Sequence, residues 1–581
     1  MKGKNYFLKS IKFILPYVKP YRRHLFIAFL CSVFYVFTFI YIPIIAGNAL
    51  DAMKDGVDFN AVYLDILKIA ISMIVGGAFY WILSYLSSLA AYSIARDIRK
   101  ECMRKLLSAP MSYLDSANHG DIITTITADV DFISDGLIQV FLQIFTGFFS
   151  IVGTIVFMCI LCWPLALIVI GLTPLSMVAS IFIARGSART FRNQSDARGR
   201  LGGYYNEQIN SQAIIISENH QLSSEKDADM IAVELKKYDF WTQFFAAFIN
   251  PTTRMINAII YGSVAVVGAI YIVNGEYGLS TGNLMTFLMF TTNYTKPFNE
   301  ISNVIAQLQN SFASISRLQD LFTMPQVDSD ETKPNLKYQS GDIAFSNVHF
   351  AYNANREIIR GIDFKINNGD MVALVGTTGC GKTTLINLLM RFYDIQKGSI
   401  EISHQNIVDV NRYSLRDAFG MVLQDTWIFK GTIKENIRYG RPEASDSEVV
   451  EAAKRANAHF FITQMKDGYD TYINDEGELS TGQKQLLCIA RVILKAPAML
   501  ILDEATSNID TRTQILIQDC FARMMKNHTS IVIAHRLSTI EKADVILVMK
   551  DGKIIERGTH EELLAHDGFY SRLYRAQFAQ V

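Results

Sequence analysis

Nine consecutive residues, Gly376 to Thr384 (GTTGCGKTT), carry the clearest chemistry in the chain. An apolar run, Met371-Val372-Ala373-Leu374-Val375, precedes them, and the helical pattern Leu385-Ile386-Asn387-Leu388-Leu389-Met390 follows. Strand, glycine loop and helix in that order make a phosphate cradle. Gly376, Gly379 and Gly381 let backbone amides turn toward phosphate oxygens, with Thr377, Thr378, Cys380 and Thr384 completing the loop. Lys382 reaches the β- and γ-phosphates, and Thr383 offers its hydroxyl to Mg²⁺. An ordinary glycine-rich turn would not need the flanking strand and helix.

A second group of residues suits hydrolysis. The buried run Ala498-Met499-Leu500-Ile501-Leu502 ends in two acids. Asp503 suits Mg²⁺ through water, and Glu504 stands where a general base would polarise the attacking water. His535 ends another apolar strand, where a γ-phosphate contact is available. Gln424 follows a third and joins the catalytic and metal-binding set. Upstream, Tyr352 offers its ring to adenine. These residues need an α/β scaffold, and residues 341 to 581 do alternate short apolar strands with amphipathic helices.

The first half of the chain is different. Of 581 residues 50% are hydrophobic and only 19% charged, with mean hydropathy +0.18, which points to a membrane protein. Lys+Arg and Asp+Glu balance at 55 each, which argues against a nucleic-acid binder. Apolar stretches near residues 25–47, 66–93, 137–162, 163–185, 244–273 and 281–308 each suffice to cross about 30 Å of hydrocarbon. Trp163-Pro164 is expected to turn the chain between the third and fourth. An even number of spans returns the chain to its starting side. The first 23 residues hold seven Lys and Arg and no acid, so they are expected as an amphipathic surface segment, with the N-terminus and the phosphate site both cytosolic. Seven scattered cysteines fit reduced thiols, and Cys159-x-x-Cys162 fits helix packing better than a metal.

Two connections, Ile94 to Asp135 and Arg185 to Gln243, are long, polar and helix-prone, and serve either as arms that transmit force or as solvated hairpins. A charge at mid-bilayer costs about 2.5–3.5 kcal/mol, so intramembrane polar residues usually face a bundle interior or a wet cavity. Arg254, Asn257, Asn293, Lys296, Asn299, Glu300 and Asn303 are such residues. Arg254, Asn293, Lys296 and Glu300 are candidates for a substrate cavity, with interhelical hydrogen bonding or a cytoplasmic helix extension as the alternative.

Taken with Leu479-Ser480-Thr481-Gly482-Gln483, which resembles the LSGGQ signature, residues 341–581 resemble the nucleotide-binding domain of an ATP-binding cassette (ABC) transporter. The whole chain is similar to the half-transporter plan of the exporter branch: transmembrane domain 1–320, linker 321–340, cassette 341–581. The resemblance implies ATP and Mg²⁺ as cofactors, a dimer with each ATP between one chain's P-loop and the other's signature (Ser480, Thr481, Gly482, Gln483 here), and communication between sites through Asp510. It also implies a multi-pass location in the cell's inner (cytoplasmic) membrane. Thr481 stands where the family has glycine, and the approach Asn474-Asp475-Glu476-Gly477-Glu478 reads one residue short. A side chain where backbone must approach phosphate weakens that contact. The combination resembles one subunit of a bacterial heterodimeric multidrug-type exporter with one degenerate ATP site, whose partner is a second half-transporter. A homodimer tolerating Thr481 is the alternative. The expected cargo is a hydrophobic or amphipathic compound. A lipid or peptide translocator and an ATP-gated channel or sensor are the competing readings.

Overall fold

The computed structural model describes residues 2–53, 59–327, 330, 332–353, 356–423, 426–474, 479–503, 509–533 and 540–578. It divides into two compact units: residues up to Leu107 with Asn118–Met324, and Ser108–Ala117 with Pro325–Val581.

The first unit is helical. An N-terminal helix α1 (Lys2–Val18) leads into α2 (Arg22–Ala52) and α3 (Phe59–Leu107). After α5 (His119–Thr124) the backbone widens into a π turn over Thr125–Asp129, then runs as α6 (Val130–Asn210), α7 (Gln212–Ser217), α8 (Gln221–Asn274) and α9 (Thr281–Phe322). Helix α6 is two limbs broken at Cys162 (φ −163°, ψ 96°), one residue before the expected Trp163-Pro164 turn. Pro164 instead sits in the first turn of the second limb, where its missing N–H breaks no helical hydrogen bond. Among the described residues, Lys9–Ala52, Phe59–Leu107, His119–Leu175 and Pro251–Asn274 are long and apolar enough to cross a membrane.

Four helices share one apolar core: Val36 and Ile40 of α2, Met158, Leu165 and Val169 of α6, Ile260 and Val264 of α8, and Phe287 and Phe290 of α9. Helices α2 and α9 come close because both carry glycine at the crossing. A Cβ on Gly47 would stand 2.0 Å from Thr286 Oγ1 and 2.6 Å from the Gly282 carbonyl oxygen. Thr286 donates to the Pro43 carbonyl at 2.9 Å. Asp51 accepts from Gly282 N at 2.8 Å and from Ser280 Oγ, so a carboxylate of α2 satisfies the N-terminus of α9. Farther along α9, Arg317 and Ser314 (2.8 Å) close on the buried Asp129 of the π turn.

The second unit is α/β. One sheet is antiparallel in the order β2 (Ile359–Ile366), β1 (Ile343–Phe350), β4 (Lys397–Ile402), β5 (Gln405–Asn406). The other has the order β12-β11-β3-β10-β9-β6 and is parallel except for its edge strand β12 (Lys553–Gly558). Its centre is β3 (Met371–Gly376) between β10 (Thr529–Ile533) and β11 (Val545–Lys550), with β9 (Met499–Asp503) and β6 (Phe419–Val422) beyond β10. Every residue of β9 and β10 is buried, which explains their unbroken apolar runs. A short pair, β7 (Gly431–Thr432) and β8 (Tyr472–Ile473), lies apart, with helix α12 (Ile433–Arg438) directly after β7. Helix α4 (Met111–Ser116) groups with this unit: Tyr393 donates to Asp115, and Val327 N to the Ser108 carbonyl at 2.9 Å.

A candidate nucleotide site and a polar cavity among the helices

Strand β3 delivers the glycine loop at its carboxyl end, and α10 (Lys382–Leu389) begins immediately after it. Gly379 (φ +80°) and Gly381 (φ +108°) occupy the left-handed region. A Cβ on Gly376 would lie 2.2 Å from the Met549 carbonyl oxygen, so that position also excludes a side chain. The loop is thereby curled over the helix start, with Thr377, Thr378 and Gly379 exposed. The first i→i−4 bond of α10 is Leu385 N to Gly381 O, at 3.0 Å, which leaves the N–H groups of Lys382, Thr383 and Thr384 outside the helical ladder. Three such donors with the positive end of the helix dipole form an anion site.

Lys382 is buried, and its ammonium donates to the carbonyls of Gly376 (2.7 Å) and Thr377 (3.1 Å). The loop's own backbone therefore preorganises the charge that a terminal phosphate needs. Cys380 is buried too, with Sγ 3.9 Å from Lys382 Nζ. Thr383 is exposed, whereas Thr384 turns inward to Tyr352 Oη at 3.2 Å. Tyr352 also receives Asn387 Nδ2 at 3.4 Å and stands edge-on to Phe350 and Tyr393, each centroid 4.9 Å away. The ring expected to meet adenine is thus tied to the second turn of the phosphate helix, with 44% of its surface exposed.

Asp503 ends β9, buried, in register with Ile533 of β10, itself paired with Leu374 of β3. An exposed threonine hydroxyl at the helix start and a buried carboxylate two strands away are hard oxygen donors of the kind Mg²⁺ takes, together with nucleotide phosphates and water. Glu504, Gln424 and His535 lie outside the described residues, as do Asp475 to Glu478. Three residues after Gln424 in the chain, the Trp427 carbonyl accepts from Arg491 (2.6 Å), which also donates to Asn436 Oδ1 (2.6 Å), and burial lowers the pKa of Arg491.

The signature opens α15 (Thr481–Lys495) through a capping box. Ser480 Oγ accepts from Gln483 N at 3.2 Å, and Gln483 Oε1 accepts from Ser480 N at 2.9 Å. Thr481 is the first helical residue and is exposed, while Gly482 is buried. Asp510 caps α16 (Thr511–Met525), accepting from Thr513 N at 3.0 Å. That backbone donation lowers its pKa.

In the helical unit a cavity of about 220 Å³ opens between α8 and α9, lined by Asn257, Tyr261, Thr291, Thr292, Thr295 and Lys296. Of the expected cavity residues Lys296 lines it. Arg254, exposed, and Asn293, half-buried, are not among its lining residues. The side chains of Asn299, Glu300 and Asn303 lie outside the described ones. Sequence reasoning did not pick out the threonines, although Thr292 stands four before Lys296 and Thr291 four before Thr295. Nor did it find Asp115 and Tyr393.

A P-loop on the central strand of a parallel sheet, a capped signature helix and a bundle of long apolar helices define a membrane-embedded ATPase. Residues 25–298 match the model of the ABC transporter transmembrane region, and residues 359–507 that of the ABC transporter ATP-binding domain. An uncharacterised ABC transporter ATP-binding protein of Bacillus subtilis, YfiC, is 36% identical over 92% of this chain and 89% of its own. A fatty acid ABC transporter ATP-binding/permease protein of Mycobacterium tuberculosis is 37% identical over 90% and 82%. A putative multidrug export ATP-binding/permease protein of B. subtilis, YgaD, is 33% identical over 98% and 99%. The structure of a bacterial Atm1-family ABC exporter with ATP bound superposes with TM-score 0.80 at 27% identity, covering 96% of this chain and 99% of that one. This chain belongs to the ABC transporter family: it is an exporter-type half-transporter, a multi-pass membrane protein that couples ATP hydrolysis to transport.

Proposed function

We propose that the chain exports a hydrophobic or amphipathic compound across the cytoplasmic membrane by alternating access, as one half of a heterodimer with one degenerate ATP site. Two ATP molecules close the paired cassettes, the long helices carry that closure into the membrane, and the cavity turns outward. Hydrolysis resets it. ATP bound across the closed interface favours that state, so the cycle is a ligand-driven population shift. In this reading the N-terminus and cassette are cytosolic, Glu504 is the general base, His535 contacts the γ-phosphate, Tyr352 carries adenine, and Thr383, Asp503 and Gln424 would hold Mg²⁺, with Gln424 also in the catalytic set. Lys382 and the free amides at the start of α10 hold the phosphates.

The observation that carries the heterodimer reading is Thr481, exposed at the first position of α15 in a chain whose P-loop and Asp503 are intact. A methyl and hydroxyl there obstruct a nucleotide presented by a second chain, not this chain's own. The exposure of Thr481 also supports the homodimer alternative, because the side chain disturbs nothing within its own cassette. The names of the mycobacterial and YgaD relatives, fatty acid and multidrug, support an amphipathic or hydrophobic cargo class. Helix α7, with Ile214 and Ile216 exposed between the limbs of α6 and α8, supports a docking element for a second chain.

The test is the mass of the assembly purified from its native membrane through a tag on this chain. A different half-transporter in equal amount is the expected result. A complex of twice 65.4 kDa containing this chain alone overturns the heterodimer. Glu504→Gln is expected to bind ATP and hold the closed state, and normal turnover in that variant removes the assigned base.

A further inference from the structure

The cavity between α8 and α9 is lined by side chains that each carry a polar group, and among them Thr292 and Lys296 are exposed. Asn257 Oδ1 is buried without a hydrogen-bond partner. Thr291 and Thr295 are buried, and their hydroxyls already donate to the Phe287 carbonyl (2.9 Å) and the Thr292 carbonyl (3.1 Å). Thr292 likewise donates to the Leu288 carbonyl at 3.2 Å. With their protons spent on the helix, the threonines present acceptor lone pairs. Lys296 is the charged residue among the described lining residues.

The site therefore offers one cation and a surplus of acceptors. A cationic guest is repelled by Lys296, and a purely apolar guest leaves Asn257 unsatisfied. A guest with an anionic oxygen group for Lys296 and a hydroxyl or amide N–H for Asn257 satisfies both. The volume of about 220 Å³ is below the roughly 300–1,000 Å³ of a site for a whole drug-sized ligand, so it takes a head group and leaves a tail outside. Met285, exposed on α9 three turns before Lys296 and on the same face, is an apolar side chain along which an alkyl chain can lie.

We propose that this cavity binds the head of a single-chain amphipathic anion, an alkyl carboxylate bearing an adjacent hydrogen-bond donor, as the transported substrate. The proposal rests on the exporter reading above and narrows its cargo to one charge class.

The test uses the full-length chain, in the assembly it forms in its native membrane, reconstituted in neutral lipid vesicles. ATPase stimulation and vesicle uptake are measured with 2-hydroxymyristate, myristate, myristoylcholine and 1,2-tetradecanediol, each normalised to the variant's own basal rate. The hydroxy acid is expected to half-stimulate at about tenfold lower concentration than the diol, the worth of one charge-assisted hydrogen bond. Lys296→Gln is expected to erase that advantage and Lys296→Arg to restore it, which separates a lost charge from a misfolded helix. Asn257→Ala is expected to remove the preference for the hydroxy acid over myristate. The proposal is overturned if the choline ester or the diol matches the hydroxy acid, or if Lys296→Gln shifts the anions less than twofold. Transport of the diol or choline ester without the anions would leave the exporter and remove only the anionic head. Transport of none, with ATP still hydrolysed, would remove the amphipathic cargo itself.

Discussion

Gly482 lies so close to Thr513 that a Cβ at 482 would stand 2.5 Å from Thr513 Cγ2 and 3.1 Å from Ile509 Cγ2. Thr513 N in turn donates to Asp510, so the start of the signature helix and the cap of α16 form one packed unit. Gly482→Ala forces that unit apart, at about 1–3 kcal/mol for overpacking. The cassette transition in scanning calorimetry of the detergent-solubilised chain is expected to fall by several degrees, about 2–4 °C per kcal/mol for a domain of this size. Thr481→Gly, one residue earlier and exposed, is expected to move it by less than about 1 kcal/mol. Equal shifts in the two variants would remove the packing argument.

The contrast between these neighbours marks how far the sequence was legible. The strand, loop and helix of the P-loop were legible because they follow one another directly in the chain. The role of Gly482 was not, because the atoms that exclude a side chain arrive from residues 509 and 513. Asp115 was opaque for the same reason, its partner Tyr393 lying 278 residues away. The cavity was half legible. Hydropathy singles out Lys296 and Asn257 as expensive in a bilayer, but only the packing of α8 on α9 decides that Thr291 and Thr295 join them while Arg254 and Asn293 do not.

Lys382 is held by two loop carbonyls, at 2.7 and 3.1 Å, and replacing it removes a buried cation at the start of the phosphate helix. Lys382→Ala is expected to lower ATP hydrolysis by at least about 100-fold, the scale of losing one preorganised charge contact. Retained turnover would place the phosphates elsewhere. Cys380 beside it is buried, whereas Cys159 is exposed. A maleimide is expected to label Cys380 slowly, with nucleotide slowing it further, while Cys159, on a membrane-spanning helix, faces lipid. Hydrolysis unchanged after confirmed labelling of Cys380 would show that the loop accepts the bulk.

Tyr393 joins α4 to the aromatic group around the P-loop, since its hydroxyl donates to Asp115 and its ring meets Tyr352 edge-on. Burial, then the bond to Asp115, pushes its pKa above the ordinary tyrosine range. Tyr393→Phe keeps the ring and deletes the bond, worth roughly 1.5–3 kcal/mol for a hydrogen bond to a charged group. Basal ATP hydrolysis is expected to persist, while its stimulation by transported compound drops several-fold. Undiminished stimulation would reduce the bond to a surface contact.

Asp330 makes the linker pH-sensitive. Its side chain, 7% exposed, takes Arg412 Nη1 at 3.0 Å and Arg391 Nη1 at 3.4 Å on one oxygen and Lys333 Nζ at 3.0 Å on the other. Burial raises its pKa, but the bond from Lys333 and the charges of Arg391 and Arg412 outweigh it, and the net shift is downward. A folded pKa below the unfolded value of about 3.9 means that the stabilisation is complete above that pH and is lost as pH falls through the folded value. Asp330→Asn removes one carboxylate from Arg391 and Arg412, both of which keep Asp394, and is expected to cost about 1–3 kcal/mol at pH 7. The gap in cassette unfolding temperature between the two proteins is then expected to hold from pH 7 to about 5 and to narrow below about 4, where the unfolded chain takes up the proton first and the native aspartate follows at its lower folded value. Comparing the two proteins cancels the carboxylates they share. A gap that stays constant down to pH 3 would mean that Asp330 holds the linker through shape and its neutral hydrogen bonds, and not through charge.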